Sequence, residues 1–170
     1  MIGSVVAVIV ILGLVVILYN RLVASRHRVL AAWSDIDVQL KRRHDLIPKL
    51  VDAVRQYAGY EQAVLTTVVA LRNRSQALTG VADKAEVERD LGRGIHNLLA
   101  LAEAYPDLKA NQNFLQLQKD ITEVEDNIQY ARRYYNGAVK VLNVRVESFP
   151  DNLVAKLFGF HTADYFDMEE

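Results

Sequence analysis

FLQLQKDITEVEDNIQYARRYYNGAVKVL, residues Phe114–Leu142, decides the fold. Its apolar positions Phe114, Leu117, Ile121, Val124, Ile128, Ala131, Tyr135, Ala138 and Leu142 advance in alternating steps of three and four. This is a heptad stripe, the period at which one face of a helix keeps pointing toward partner helices. Asn111 is placed to cap its start, and Pro150 stops it.

Outward from this helix, the same period recurs. A second seam runs Ile47, Leu50, Val54, Tyr57, Glu61, Val64, Val68, Leu71, Ser75 and Leu78, with Gly80 at the position of a C-terminal stop. A third, Val87, Leu91, Gly94, Leu98, Leu101 and Tyr105, opens on an Asp83/Glu86 capping box and closes at Pro106. Leu22, Val29, Trp33, Ile36 and Leu40 give the first helix its stripe. Pro48 places the first boundary: with Asp45 as N-cap, the proline falls in the first turn of the second helix, where its missing N–H is harmless. The alternative is one long helix kinked at Pro48. A second helix from Leu46 to Thr79 would outrun the stalk from Asn20 to His44 by about 13 Å, which tilt, fraying or a break at Gly59 must absorb. Short connections at 79–82 and 106–110 favour antiparallel neighbours.

Before the first stripe lies IGSVVAVIVILGLVVILY, Ile2–Tyr19, with no charged residue. At about 1.5 Å per residue it spans about 27 Å, close to the roughly 30 Å hydrocarbon core of a bilayer. A helix satisfies its own backbone polar groups there, which lipid cannot do. A cleaved secretory signal is the competing reading, with Leu22-Val23-Ala24 as its best site, but only Met1 precedes the apolar run and a positive n-region is missing. The chain has no cysteine to carry a lipid. Arg21, Arg26 and Arg28 follow the run, so the positive-inside rule places the N-terminus outside and the C-terminal domain in the cytoplasm of a single-pass cell-membrane protein.

The expected fold is therefore all-α: a single N-terminal transmembrane helix followed by an antiparallel up-and-down four-helix bundle. Residues 1–20 form the anchor, 21–150 the bundle, and 151–170 an amphipathic segment with an acidic tail. The helix is expected to leave the bilayer without a spacer, making span and first bundle helix one rod.

The 20 Lys and Arg and 21 Asp and Glu all lie beyond the span and are interleaved, giving a formal net charge of −1. Nucleic-acid binding, which needs a basic excess, is not expected. His27, His44, His96 and His161 do not cluster, and neither Glu-x-x-His nor His-Glu-x-x-His occurs. With no phosphate loop, nucleophile elbow or cysteine nucleophile, the expectation is no enzyme activity, no cofactor and no metal.

Polar and aromatic outliers supply the candidate partner-binding residues: Lys41, Arg42, Arg43, Glu61, Phe158 and Phe160. Glu61 occupies a seam position, where an unpaired carboxylate is costly. It is either paired with an arginine or opened to solvent near Gly59, or it selects register or partner. Lys41-Arg42-Arg43-His44 either pairs with acids on neighbouring helices or docks an acidic partner. At about 32 Å beyond the membrane it is out of reach of headgroups, whereas Arg21, Arg26 and Arg28 are not. NLVAKLFGF, with Phe158 and Phe160, either packs under the bundle as a lid or lies on the bilayer or a membrane-embedded partner.

YNRLV (19–23), AWSDIDVQLKRRHDLIPKLV (32–51), YAGYE (57–61), YNGAVKVLN (135–143) and FPDNLVAKLFGF (149–160) together resemble the LemA family. They cover both ends of the domain and leave the third helix unmarked. The central stretch is the most specific, although Lys49 stands where the family often has Asn and Leu142 where it often has Tyr. The resemblance implies a membrane anchor and a helical bundle, with no established enzymatic activity, cofactor or catalytic residues. It also implies association with membrane protein quality control, in particular with membrane zinc metalloproteases.

Two functions are compatible with these features. One is a non-catalytic, membrane-tethered interaction or scaffold module that holds a membrane protein partner. The other is a homo-oligomer that organises the membrane, with Gly3-x-x-x-Ala7 as a small-residue packing signal.

Overall fold

The structure, a computed structural model, describes residues 2–57 and 62–168. Its regular elements are α1 (Ile2–Arg55), α2 (Gln62–Ala77), α3 (Val81–Ala102), α4 (Pro106–Lys109), α5 (Gln112–Glu147) and α6 (Asp151–Phe158). The fold is all-α, with no strand among the described residues. Among the described residues one helix, α1, is long and apolar enough to cross a membrane.

The expected boundary at Asp45 does not occur, because α1 continues through Pro48 to Arg55. A proline inside a helix removes the N–H that would bond the carbonyl four residues back, at a cost of about 3 kcal/mol. For Pro48 that carbonyl belongs to His44, and Arg72 Nε on α2 donates to it at 2.8 Å. The proline itself is exposed. The orphaned acceptor has thus gained a side-chain donor from the next helix, and the helix has no reason to end. Because the chain turns after Arg55 instead of at Asp45, α2 is only 16 residues long and the anticipated overshoot disappears. Gly59 and Glu61 lie outside the described residues.

The chain divides into two compact units, Met1–Ser34 with Arg133–Tyr165, and Asp35–Arg132 with Phe166–Glu170. In the second unit, a core cluster draws Ile47, Leu50 and Val54 from α1, Leu65 and Val68 from α2, Leu91, Ile95 and Leu98 from α3, Leu108 from α4, and Phe114, Leu117 and Ile121 from α5. The three-and-four spacing read from α5 puts these side chains inside. Asn111 caps α5: its Oδ1 accepts the N–H groups of Asn113 at 2.9 Å and Phe114 at 3.2 Å.

Three punctuation signals act differently from their sequence reading. Gly80 has extended φ and ψ of −70° and 134° and serves as N-cap of α3, so it is not a left-handed C-terminal stop. That helix begins at Val81, which leaves Asp83 and Glu86 inside it rather than at a capping box, and no side chain caps it. Pro106 opens the short helix α4, while α3 has already ended at Ala102.

In the first unit, α6 folds back onto α1. Val154, Ala155 and Phe160 bury themselves with Leu18 and Leu22, flanked by Val15, Val23 and Val146. The return is made by Gly159, whose φ of 71° is left-handed and lets the Phe160 N–H bond the Ala155 carbonyl at 2.9 Å. On the facing helix, Tyr135 rests against Trp33 with ring centroids 5.4 Å apart and donates its hydroxyl to the Asp164 carbonyl at 2.9 Å. Asn143 pairs through both side-chain amide atoms with the Ala163 backbone, at 3.0 and 2.8 Å.

Candidate functional site

Continuing the α1 stripe from Leu40 to Ile47 without a break turns positions 43 and 44 inward. Both are polar, Arg43 and His44, and both are buried. They meet Glu88, which lies one turn before Leu91 on α3 and has no solvent exposure. Arg43 Nη1 donates to Glu88 Oε2 at 2.9 Å and to the Glu88 carbonyl at 3.2 Å. His44 Nε2 donates to Glu88 Oε1 at 2.6 Å, and the buried Ser75 hydroxyl of α2 donates to the same oxygen. The other edge of the guanidinium forms a fork with Glu125 on α5, with Nε to Oε1 at 2.7 Å and Nη2 to Oε2 at 2.6 Å. One arginine thereby joins α1, α3 and α5, and one carboxylate joins α1, α2 and α3.

Burial alone would raise the Glu88 pKa. The His44 hydrogen bond, the Arg43 charge and the Ser75 hydrogen bond together outweigh it and hold the carboxyl below its ordinary value. Gly92, one turn after Glu88, leaves room for this arrangement: a Cβ there would stand 2.8 Å from Arg43 Nη2. Beside the fork a cleft of about 630 Å³ opens, lined in part by Arg89, Arg93, His96 and Asp126. Among the described residues no group of His, Cys, Asp and Glu is placed to hold a metal.

The sequence-derived candidates separate into different settings. Arg43 is an inward-facing member of the knot, only 2% exposed, and presents no charge to a surface partner. Lys41 and Arg42 are exposed, and Arg42 lies 3.8 Å from Glu123. Glu61 is outside the described residues. Phe158 and Phe160 come together at Tyr19, with ring centroids 4.9 and 5.7 Å from it, and Arg26 lies 5.4 Å over the Phe160 ring. Glu88, Ser75, Gly92 and Glu125 belong to no sequence motif that marks a site. Ser75 was visible as a polar seam residue. The signal for His44 and Arg43 was also present, but a helix break at Asp45 hides it.

The class these features define is an all-helical protein with one helix, among the described residues, able to cross a bilayer and a buried charged knot that ties the later part of that helix to α2, α3 and α5. The LemA family model matches residues 32–170, and the chain belongs to the LemA family. It is 23% identical over 192 residues to magnetosome protein MamQ 2 of Paramagnetospirillum magneticum, covering 98% of this chain and 71% of that protein. To protein LemA of Metamycoplasma hominis it is 28% identical over 156 residues, covering 89% and 69%. To magnetosome protein MamQ of Magnetospirillum gryphiswaldense it is 22% identical over 174 residues, covering 87% and 64%.

Proposed function

We propose that this chain is a membrane-tethered helical scaffold that binds a membrane protein partner and carries out no chemistry of its own. The observation behind this reading is a change of character along α1. From Ile2 to Ile17 its side chains are exposed apart from the half-buried Val15, and almost all are apolar. From Leu18 onward the same helix buries one face through Leu22, Val29, Ala32, Ile36 and Leu40. An apolar helical surface of that length, left exposed among the described residues apart from Val15, is suited to lipid.

In this reading α1, α2, α3 and α5 form an antiparallel up-and-down four-helix bundle beyond a single-pass anchor. Arg21, Arg26 and Arg28 keep the domain in the cytoplasm and the N-terminus outside. Tethering raises the effective concentration of any membrane partner, so modest contacts suffice. The exposed Lys41 and Arg42 are the basic surface for such a contact. Burial of Arg43, His44, Ser75 and Glu88, each satisfied by the others or by Glu125, supports a structural role for the knot. The names of the relatives describe no reaction. The partner class suggested by the family resemblance is a membrane zinc metalloprotease.

Crosslinking in intact membranes followed by purification tests this reading. Repeated recovery of one membrane protein is expected. A discrete large assembly of this chain alone, measured by native mass in detergent, would instead favour the homo-oligomeric membrane organiser. Recovery of neither contradicts both.

A further inference from the structure

Hydrophobic burial explains only half of α6. Its inner face, Val154 and Ala155, closes against Leu18 and Leu22 of α1. Its outer face carries Leu153 and Leu157, which remain 59% and 74% exposed, next to Phe149 at 79% and Phe158 at 51%. Four large apolar side chains, each more than half exposed on a ten-residue segment, leave an apolar surface that the fold does not fill, and its position indicates what covers it.

We propose that Phe149–Phe158 is a second membrane contact, which lies in the headgroup and upper acyl region of the cytoplasmic leaflet beside α1. The occupant of the apolar face is phospholipid. Continuity with the span is the first reason, because the part of α1 that α6 touches, Val15 to Val23, straddles the end of the Ile2–Tyr19 apolar run. Four residues separate Val15 from Tyr19, about 6 Å along a helix axis. That matches the roughly 5–10 Å to which interfacial amphipathic helices sink.

The second reason is the chemistry of the rim. Tyr19, Phe158 and Phe160 form a cluster of rings where the apolar run meets its first arginines, the composition favoured at a membrane boundary. Arg21, Arg26 and Arg28 on α1 and Lys156 on α6 are all exposed there, and they match anionic headgroups. Two contacts fix the rotation of α1 about its own axis, which a single span cannot do.

The proposal rests on α1 crossing the bilayer, and the test separates the two. The full chain carrying Trp33→Phe is prepared with a single new tryptophan, either Leu157→Trp or Ile9→Trp, both at exposed positions. Each is reconstituted in phosphatidylcholine and phosphatidylglycerol vesicles containing brominated lipids. The Ile9→Trp emission should be quenched by deeply brominated chains. The Leu157→Trp emission should be quenched by bromines near the headgroup end and shielded from aqueous acrylamide. If Ile9→Trp is lipid-quenched while Leu157→Trp is open to acrylamide, α6 lies in water and the proposal falls. If Leu157→Trp is shielded from both quenchers, protein covers it, a second copy included, and the proposal falls equally. If Ile9→Trp shows no lipid quenching, the span is wrong and the proposal falls with it.

Discussion

Arg43 on α1 and Glu88 on α3 face each other at 2.9 Å with their side chains 2% and 0% exposed. Removing one member of such a pair leaves the other charge buried without its partner, at a typical cost of about 3–5 kcal/mol. Glu88→Ala should therefore destabilise the fold by that order in denaturant titrations in detergent. Joint replacement of Arg43 and Glu88 by apolar residues of similar volume should cost less than the two single changes added together. The remainder will reflect Glu125, which loses its guanidinium partner as well.

Acid should weaken the same knot. The folded Glu88 pKa is held below the ordinary carboxylate value of about 4.3. The folded state thus binds this proton less readily than the unfolded chain, and the stabilisation is complete above that value. It is lost as the pH falls through the lower, folded pKa. Unfolding measured across this range should show a pH dependence that is reduced in Glu88→Gln. Equal dependence in the two proteins would assign it to other carboxylates.

Arg72 should be coupled to Pro48 although the two are on different helices. Arg72→Met removes the donor to the His44 carbonyl and should cost about 1.5–3 kcal/mol, the range for a hydrogen bond to a charged group. In a Pro48→Ala background the residue 48 amide can take that carbonyl, so the Arg72→Met loss should shrink. Additive losses in this double-mutant cycle would contradict the account of why α1 continues.

Tyr135 should be silent in an ordinary alkaline titration. Burial, and secondly the Asp164 charge, push its pKa up to about 12. The stabilisation of the neutral phenol is present in full below the free tyrosine value of about 10 and is lost as the pH rises through the folded value. Tyrosinate absorbance should show one residue titrating late, absent in Tyr135→Phe. That variant should lose about 1 kcal/mol with its hydrogen bond.

The helical architecture was legible because burial repeats with the helix period: Phe114, Leu117, Ile121 and Ile128 are all inside, as their spacing requires. The knot was not. Proline inside a helix is normally disruptive, so Pro48 argued for a boundary. That boundary cut the stripe between Leu40 and Ile47 and turned Arg43 and His44 into helix-end charges. What overrides the local rule is Arg72, 28 residues from His44, and no local pattern encodes that contact. Gly80 and the Asp83/Glu86 pair misled for a related reason: the residues suit a cap, but the short 78–80 connection starts α3 at Val81. For Phe158 and Phe160 the sequence showed an amphipathic segment, while its seat against Leu18 and Tyr19 depends on the left-handed turn at Gly159.

The central claim is that the first part of α1 lies in a bilayer and tethers the domain. The chain has no cysteine, so a single introduced thiol reports its own surroundings. Full-length Ile9→Cys and Lys41→Cys variants, in membranes washed with alkaline carbonate, are to be treated with a water-soluble maleimide after the vesicles are opened. The account predicts that both variants stay in the membrane pellet, that position 41 is labelled, and that position 9 is labelled only after detergent and denaturant are added. Release of the chain by carbonate, or equal labelling of positions 9 and 41 in the intact bilayer, would contradict it.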